Sequence, residues 1–439
     1  MSDAPNHVSD FTFESILLES ERLPAPIELK NITTDLEIFE HLNLPYLTAL
    51  LSIVDSNNVY SDADLLGGET ISVQIKSTRE NAKAIRKKFY ILEIINTQKV
   101  NDNNQVVSFQ LIEDIGYISN LINLNKSYTG KSSLIIEKIA KNYLGKDLIT
   151  SNNDSQSMKV IIPNLSPLEA MRWIKDDTTT TNGYPFYLFS TLAKNELMFF
   201  DLGTLLSEPI INDVPYRAWE SASQSMDLTV SRRIIKNYEV NSFDNLYLLI
   251  KDGIIGAKYE FINTLKNERI RFDFDVAKDL LKPLLDKSVL KKPQTEPLFS
   301  PSYLHNEKSF NKYKSRTITN IGGSSPYKNT VNTFSAYSEG DNIADYKLGI
   351  LSTAMNKLMK KNPMVITVSG LDFIDGDKHS TIGNNIRLVF QRAIPEDHST
   401  EWFDPKLSGE YLIYAARHVF KKERYDITMT CIKLGNYKA

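Results

Sequence analysis

The residues able to do chemistry are few and scattered. Gly130-Lys131-Ser132, followed by an apolar run at helical spacing, has the ending of a phosphate-binding loop. That loop requires another glycine five residues before Gly130, where the chain has Asn125, and no apolar strand leads straight into it. Ser132 or Ser133 is therefore expected to cap a helix. Of the six histidines, His7, His41, His305, His379, His398 and His418, none is paired at a spacing suited to zinc. His379 follows Asp375-Gly376-Asp377, which lacks the further acidic positions and closing glutamate of a calcium loop, so a solvated turn is expected. His418 shares its even spacing with Leu412, Tyr414 and Phe420 and is expected to be packed in a core. Asp404, Glu410 and Asp426 flank strand ends; a glycoside hydrolase needs two carboxylates about 5 to 10 Å apart in a cleft, but soluble strand ends use the same residues. There is no G-x-S-x-G and no H-E-x-x-H. No residue is assigned a catalytic, cofactor-binding or metal-ligating role, and no cofactor is expected.

Composition narrows the classes further. The 439 residues leave room for two to four domains at roughly 100 to 200 residues each. A hydrophobic fraction of 41% and a charged fraction of 24% are those of a globular chain that buries cores without metals or disulfides. The net charge of −3 carries no basic footprint, which argues against general nucleic-acid binding through phosphate neutralisation. The single cysteine, Cys431, excludes an intrachain disulfide and an all-cysteine zinc site. The first seven residues lack the basic start and apolar core of a signal peptide, and no apolar run reaches 18 residues. The expectation is a protein made and assembled in the cytoplasm, without membrane insertion of its own.

The elements that would have to position any site are mainly β-strands. The most patterned stretch runs from residue 364 to 434: a β-branched run Met364-Val365-Ile366-Thr367-Val368-Ser369 entered through Pro363, the alternating residues 385–390, then residues 411–420 and 425–434 as a hairpin around Lys421-Lys422-Glu423-Arg424. Residues 27–112 show the same succession, with Ile71, Val73 and Ile75 in strict alternation and a hairpin over 89–112 with a polar turn at 99–105. Either an internal duplication or two independently similar antiparallel barrels gives this pattern. Residues 11–26, with Pro24 and Pro26, read as an extended lead-in.

Between the two lies a different texture. A helix is expected from Ser132, stopped at Gly145, and a second from the capping box Ser166-Pro167-Leu168-Glu169; a hairpin follows over 184–201 with its turn at Ala193-Lys194-Asn195. Strands are expected at 228–235, 246–250, 256–263 and 269–274. Residues 291–332 have almost no apolar periodicity and read as a loop with its apex at Gly322-Gly323-Ser324-Ser325-Pro326. The strongest helix spans 344–361, with Leu348, Leu351, Met355, Leu358 and Met359 on one stripe and a stop at Asn362-Pro363. The division is therefore a first strand module at 1–122, an α+β insertion at 123–215, a second strand module at 216–275 and 333–439, and a loop-rich segment at 276–332. The fold class is mainly β with an α+β insertion.

This order, and above all the helix leading into Val365-Ile366-Thr367-Val368-Ser369-Gly370, Ile382-Gly383-Asn384-Asn385-Ile386-Arg387-Leu388-Val389-Phe390 and Ser408-Gly409-Glu410-Tyr411-Leu412-Ile413 with His418 beyond, resembles the baseplate central hub protein family of T-even-type contractile-tailed bacteriophages. The resemblance implies two antiparallel β-barrels similar to the tail-tube fold. It implies a homotrimer whose six barrels form a ring, adapting a hexameric tail tube protein above to a trimeric spike protein below, among other baseplate proteins. DNA would be a partner only in passage, the location would be the virion, and no enzymatic activity would be expected. Two other readings are a tail-associated cell-wall hydrolase using Asp404 and Glu410, and a spike- or receptor-binding module recognising its partner through residues 291–332.

Overall fold

The computed structural model describes residues 11–56, 59–63, 65–78, 82–100, 104–154, 157–212, 214–218, 233–240, 246–263, 267–281, 296–297, 304–305, 308–309, 312–313, 317–322, 343–360, 363–374, 381–391, 404, 406–421, 424–433 and 435–436. The chain begins with seven strands: β1 (Phe11–Glu19), β2 (Ile27–Glu28), β3 (Thr33–His41), β4 (Thr48–Asp55), β5 (Thr70–Ser77), β6 (Ile85–Lys99) and β7 (Gln105–Glu113). They hydrogen-bond in the order β3-β4-β7-β6-β5-β1-β2. Alternation dictates the packing: in β4, Ala49, Leu51 and Ile53 are buried while Thr48, Leu50, Ser52 and Val54 are half-open. Residues 11–19 are thus a full strand of the module, pairing along β5 from Phe11↔Ser77 to Glu19↔Thr70, rather than a lead-in.

The insertion carries β8 (Ser127–Lys131), β9 (Leu148–Thr150), β10 (Ser157–Ile161), β11 (Phe186–Phe189) and β12 (Leu197–Asp201), with helices at Ser132–Ile139, Pro167–Asp176 and Leu202–Ser207. The expected capping box is formed: Ser166 Oγ accepts from Glu169 N, and Ser166 N donates to the Glu169 carboxylate. Gly145, in the left-handed conformation at φ 62°, ends the first helix after a π turn at Ala140–Leu144. The start of that helix is held differently from expectation. Asp154, 3% exposed, accepts from Ser133 N at 3.1 Å and from both serine hydroxyls, so the serines donate into a carboxylate brought from outside the helix.

Beyond the insertion lie β13 (Tyr216–Arg217), β14 (Asn237–Val240), β15 (Gly256–Asn263), β16 (Glu268–Asp275), the short β17 (Glu296–Pro297), β18 (Leu304–His305) and β19 (Lys308–Ser309), and β20 (Thr317–Gly322). The helix Ile343–Met359 then leads to β21 (Met364–Ser369), β22 (Asn385–Val389), β23 (Gly409–Lys421), β24 (Arg424–Ile432) and β25 (Gly435–Asn436). The apolar run at 246–250 is a helix, Leu246–Lys251, not a strand. Gly253, at φ 75°, ends it, and Ile254 N returns to Leu249 O. A five-residue apolar run fits either a strand or a helical turn, and the left-handed glycine decides here. Strands β15 and β16, grouped with the second module on sequence, pair with each other and with β20, and not with the large sheet. β20 lies within the stretch that reads as a loop, where no apolar periodicity marks it. Of the strand expected at 228–235, residues 228–232 fall outside the described residues and 233–235 carry only a single parallel bridge, Arg217↔Ile234. Most of the 291–332 segment, with 323–326 of its apex, also lies outside them, while Gly322 ends β20.

The second module does not stand apart from the first. β14, β21, β24 and β23 continue through β23–β3 into β4, β7 and β6, and every pairing along this path is antiparallel. Four strands of each module therefore lie side by side as an eight-strand antiparallel path within one 13-stranded sheet, which continues past β6 into β5, β1 and β2. Side-chain packing follows it across the join: Phe11 meets Phe420 edge-on at 5.0 Å, and Phe420 stacks on Tyr425 at 4.5 Å, within the first module's core. Tyr425 also explains Gly370, whose N donates to Tyr425 O at 2.9 Å, because a Cβ at position 370 would collide with the Tyr425 ring. Gly370→Ala is expected to destabilise the chain by about 2 kcal/mol through overpacking, measured as a shifted urea midpoint, and Tyr425→Leu in the same chain is expected to recover part of that loss.

Candidate functional site

Along the eight-strand path from β14 to β6 the sheet has one buried and one half-open face. Register identifies its members, because directly paired residues share a face. One row runs Ser369–Asp426–Val419–Glu37–Leu50–Gln110; a second runs Asn237–Thr367–Thr428–Arg417–Phe39–Thr48. Hydroxyls and charges on this face are satisfied across strands. Ser52 and Ser108 hydroxyls lie 3.0 Å apart, and Thr367 and Thr428 hydroxyls 3.1 Å apart. Arg417 donates to both oxygens of Glu37 at 2.7 and 2.9 Å across the β23–β3 join, and Lys236 pairs with Asp426. Cations and carboxylates thus pair off along the surface.

Beneath the join lies a polar cluster without solvent. Glu40, His418 and Tyr425 are each at most 2% exposed. Burial, and then the Glu40 charge, hold the Tyr425 phenol well above its ordinary value, so it keeps its proton and donates to His418 Nδ1 at 2.6 Å. His418 Nε2 faces Glu40 Oε2 at 3.3 Å, in ion-pair range but not aligned as a hydrogen bond. The other Glu40 oxygen accepts from Leu192 N, in the β11–β12 turn of the insertion. A second buried pair grips the same turn: Lys87 Nζ lies 3.2 Å from Glu113 Oε1 and donates to Lys194 O at 2.6 Å, while Glu113 Oε2 accepts from Leu47 N at 2.9 Å.

His418 is packed as its spacing predicts, although its face is set differently. A bulge between Ile413 and Ala415 shifts the register, so Ala416, His418 and Phe420 point inward together while Tyr414 reaches Asn43 instead. The carboxylates considered for hydrolysis serve local structure. Asp404 Oδ1 accepts from Lys406 N at 2.8 Å and Leu407 N at 3.2 Å, Glu410 meets Arg387 at 3.0 Å, and Asp426 holds Lys236. Neither Asp404 nor Glu410 lines the two clefts of about 610 and 210 Å³ that border the insertion. Where a phosphate would sit beyond Gly130-Lys131-Ser132, the Asp154 carboxylate already occupies the helix start. His379, Asp375 and Asp377 lie outside the described residues. Among the described residues no group of three or more His, Cys, Asp or Glu is arranged to hold a metal, and no helix is long and apolar enough to cross a membrane. Sequence reasoning missed Glu40, Glu113 and Lys87; charged residues at inward positions of alternating strands are the signal that would have found them.

No family model matches the sequence, and neither does any curated protein. Solved structures do match. The tail protein from Neisseria meningitidis MC58 superposes with a TM-score of 0.54 over 97% of each chain, at 11% identity. The 43 kDa tail protein of prophage MuSo2 from Shewanella oneidensis gives 0.51 over 95% of this chain and 98% of its own, at 10% identity. The chain shares the fold of these tail proteins. At such identities the likeness is one of architecture, and it extends over nearly the whole length rather than one module.

Two outcomes follow from the buried charges. Glu40→Ala leaves His418 and Leu192 N facing an unfilled site and is expected to cost about 3 kcal/mol, whereas Glu37→Ala, whose partner Arg417 is half exposed, is expected to cost about 1 kcal/mol or less; chemical denaturation of both variants measures the contrast. Lys433, whose Nζ contacts the carbonyls of Lys406 and Ser408 beneath the Tyr411 ring, is pushed by burial from 10.5 to about 8. Between those values the unfolded chain holds a proton that the folded chain has lost, so stability rises with pH from about 8 towards 10.5. The rise is expected to reach ~3 kcal/mol and to flatten in Lys433→Met, as read from denaturation midpoints across that range.

Proposed function

We propose that the chain is the structural hub of a phage contractile-tail baseplate: a homotrimeric ring with pseudo-sixfold symmetry that joins a hexameric tail tube to a trimeric spike and forms part of the DNA conduit. The observation that carries this is the eight-strand path, β14 to β6, within the sheet that the two modules share. Each module supplies four strands of that path, and their edges meet in-chain at β23–β3. The outer edges of the path are β14 and the distal half of β6, where residues 92–99 pair only with β7 among the described residues. Because eight strands alternate in direction, these edges run in opposite senses. A copy placed head to tail therefore offers β14 to β6 as another antiparallel neighbour, repeating between chains the join already made within one.

Three copies would close a ring of 24 strands. At ~4.8 Å per strand its circumference is roughly 115 Å, and barrels of that size enclose an open channel. The half-open face would line the bore. Its hydroxyl rows and paired charges would hold no phosphate tightly, which suits DNA that passes rather than stays. Exposed apolar side chains sit on both free edges, Leu92 and Ile95 on β6 and Tyr238 and Val240 on β14, each between 43% and 51% exposed. Tube, spike and other baseplate proteins as partners, and a place in the virion after assembly in the host cytoplasm, belong to the same proposal. So does the division into a first module, an insertion and a second module.

Light scattering of the purified chain is expected to give three times the chain mass. Ile95→Lys and Val240→Lys, each at an exposed edge position, are expected to yield folded monomers with unchanged circular dichroism. A wild-type chain that stays monomeric up to high micromolar concentration, or lysine variants that remain trimeric, would remove the ring.

A further inference from the structure

A smaller cleft of about 210 Å³ lies where the Pro167–Asp176 helix, β11 and the Ile343–Met359 helix come together. Its charged lining is lopsided. Arg172, Lys175 and Lys360 border it, and Asp176 is the carboxylate among its lining residues, already paired with Lys175. One neutral lining group also offers a donor. Tyr187 OH donates to Asn356 Oδ1 at 2.6 Å, which orients the Asn356 amide nitrogen as the end left to donate elsewhere.

The cations are held close despite the cost. Lys360 is only half-exposed and lies 4.9 Å over the Tyr414 ring, and the Lys175 side chain is 11% exposed. Burial, and then the Lys175 charge, lower Lys360 below its ordinary value; burial, and then Lys360, lower His41 in turn. Groups that repel one another in a shared concavity are stabilised together by an anion placed between them. Part of their charge already complements the C-terminal ends of the two helices, but that effect confines cations to each helix end and does not require them to share a cleft.

We propose that this cleft binds a small oxyanion, held by Arg172 at the exposed mouth, by Lys175 and Lys360 at the wall, and by the Asn356 amide. The proposal stands on the cleft alone and is independent of the ring. An oxyanion seated there would tie the insertion to the long helix that leads into the second module, and so would stiffen a contact between them that brings like charges together.

The test is calorimetric titration of the full chain with inorganic phosphate at fixed ionic strength, beside a matched titration with acetate. One saturable site per chain is expected for phosphate, weakened about tenfold or more in Arg172→Met, an exposed position that leaves folding intact, and in Lys360→Met. Equal binding of acetate would identify a carboxylate as the group recognised, and preference for phosphate a tetrahedral anion; either supports an oxyanion site. Absence of saturable binding of both anions to the wild-type chain overturns it, as does binding that both variants retain undiminished.

Discussion

The join between β23 and β3 is the contact on which the rest of the molecule depends. Residues almost 380 positions apart are zipped there in one register, Ala415↔His41 to Lys421↔Asp35. Hydrophobic contact alone would tolerate a slip of two residues, because both strands alternate apolar and polar residues and such a slip keeps the same faces inward. The polar cluster beneath does not. A shift of two residues would carry His418 away from Glu40 and Arg417 away from Glu37, leaving buried or half-buried charges without their partners. Buried ionisable groups are weak sources of stability, but they are sensitive to register, which is what two modules joined by strand edges require.

The insertion has a share in that join. Its β11–β12 turn sends Leu192 into the first module's core, where the side chain is 1% exposed. Ser190 fastens the same turn through Pro45 O at 2.9 Å. At its other end the insertion holds the second module, where Asn385 Nδ2 donates to the carbonyls of Leu205 and Glu208. It therefore reaches both modules.

Local features were legible in the sequence because local chemistry determines them. The Ser166 capping box, the Gly145 stop, the 385–389 strand and the hairpin of β23 and β24 are written in neighbouring residues. The helix at 246–251 was hidden because a short apolar run fits both periods, and β20 because a sheet partner rather than its own alternation orders it. The shared sheet was legible only as two similar halves. Edge pairing between segments hundreds of residues apart leaves no mark in either strand except its polar residues on the inner face. The hydroxyl pairs Ser52–Ser108 and Thr367–Thr428 likewise acquire meaning only once the register is known.

The bulge at Ile413–Ala415 has a mechanical consequence. Below it β23 pairs with β22, and above it the same edge pairs with β3, so one continuous strand of 13 residues belongs to both modules. Hydrogen bonds of an antiparallel pair lie across the strand axis. A load along the strands therefore shears all seven residue pairs of the join at once, while a load that pries the modules apart opens them one after another. The molecule is strong along one axis and can be unzipped along another, and the direction of strength is the direction of its strands.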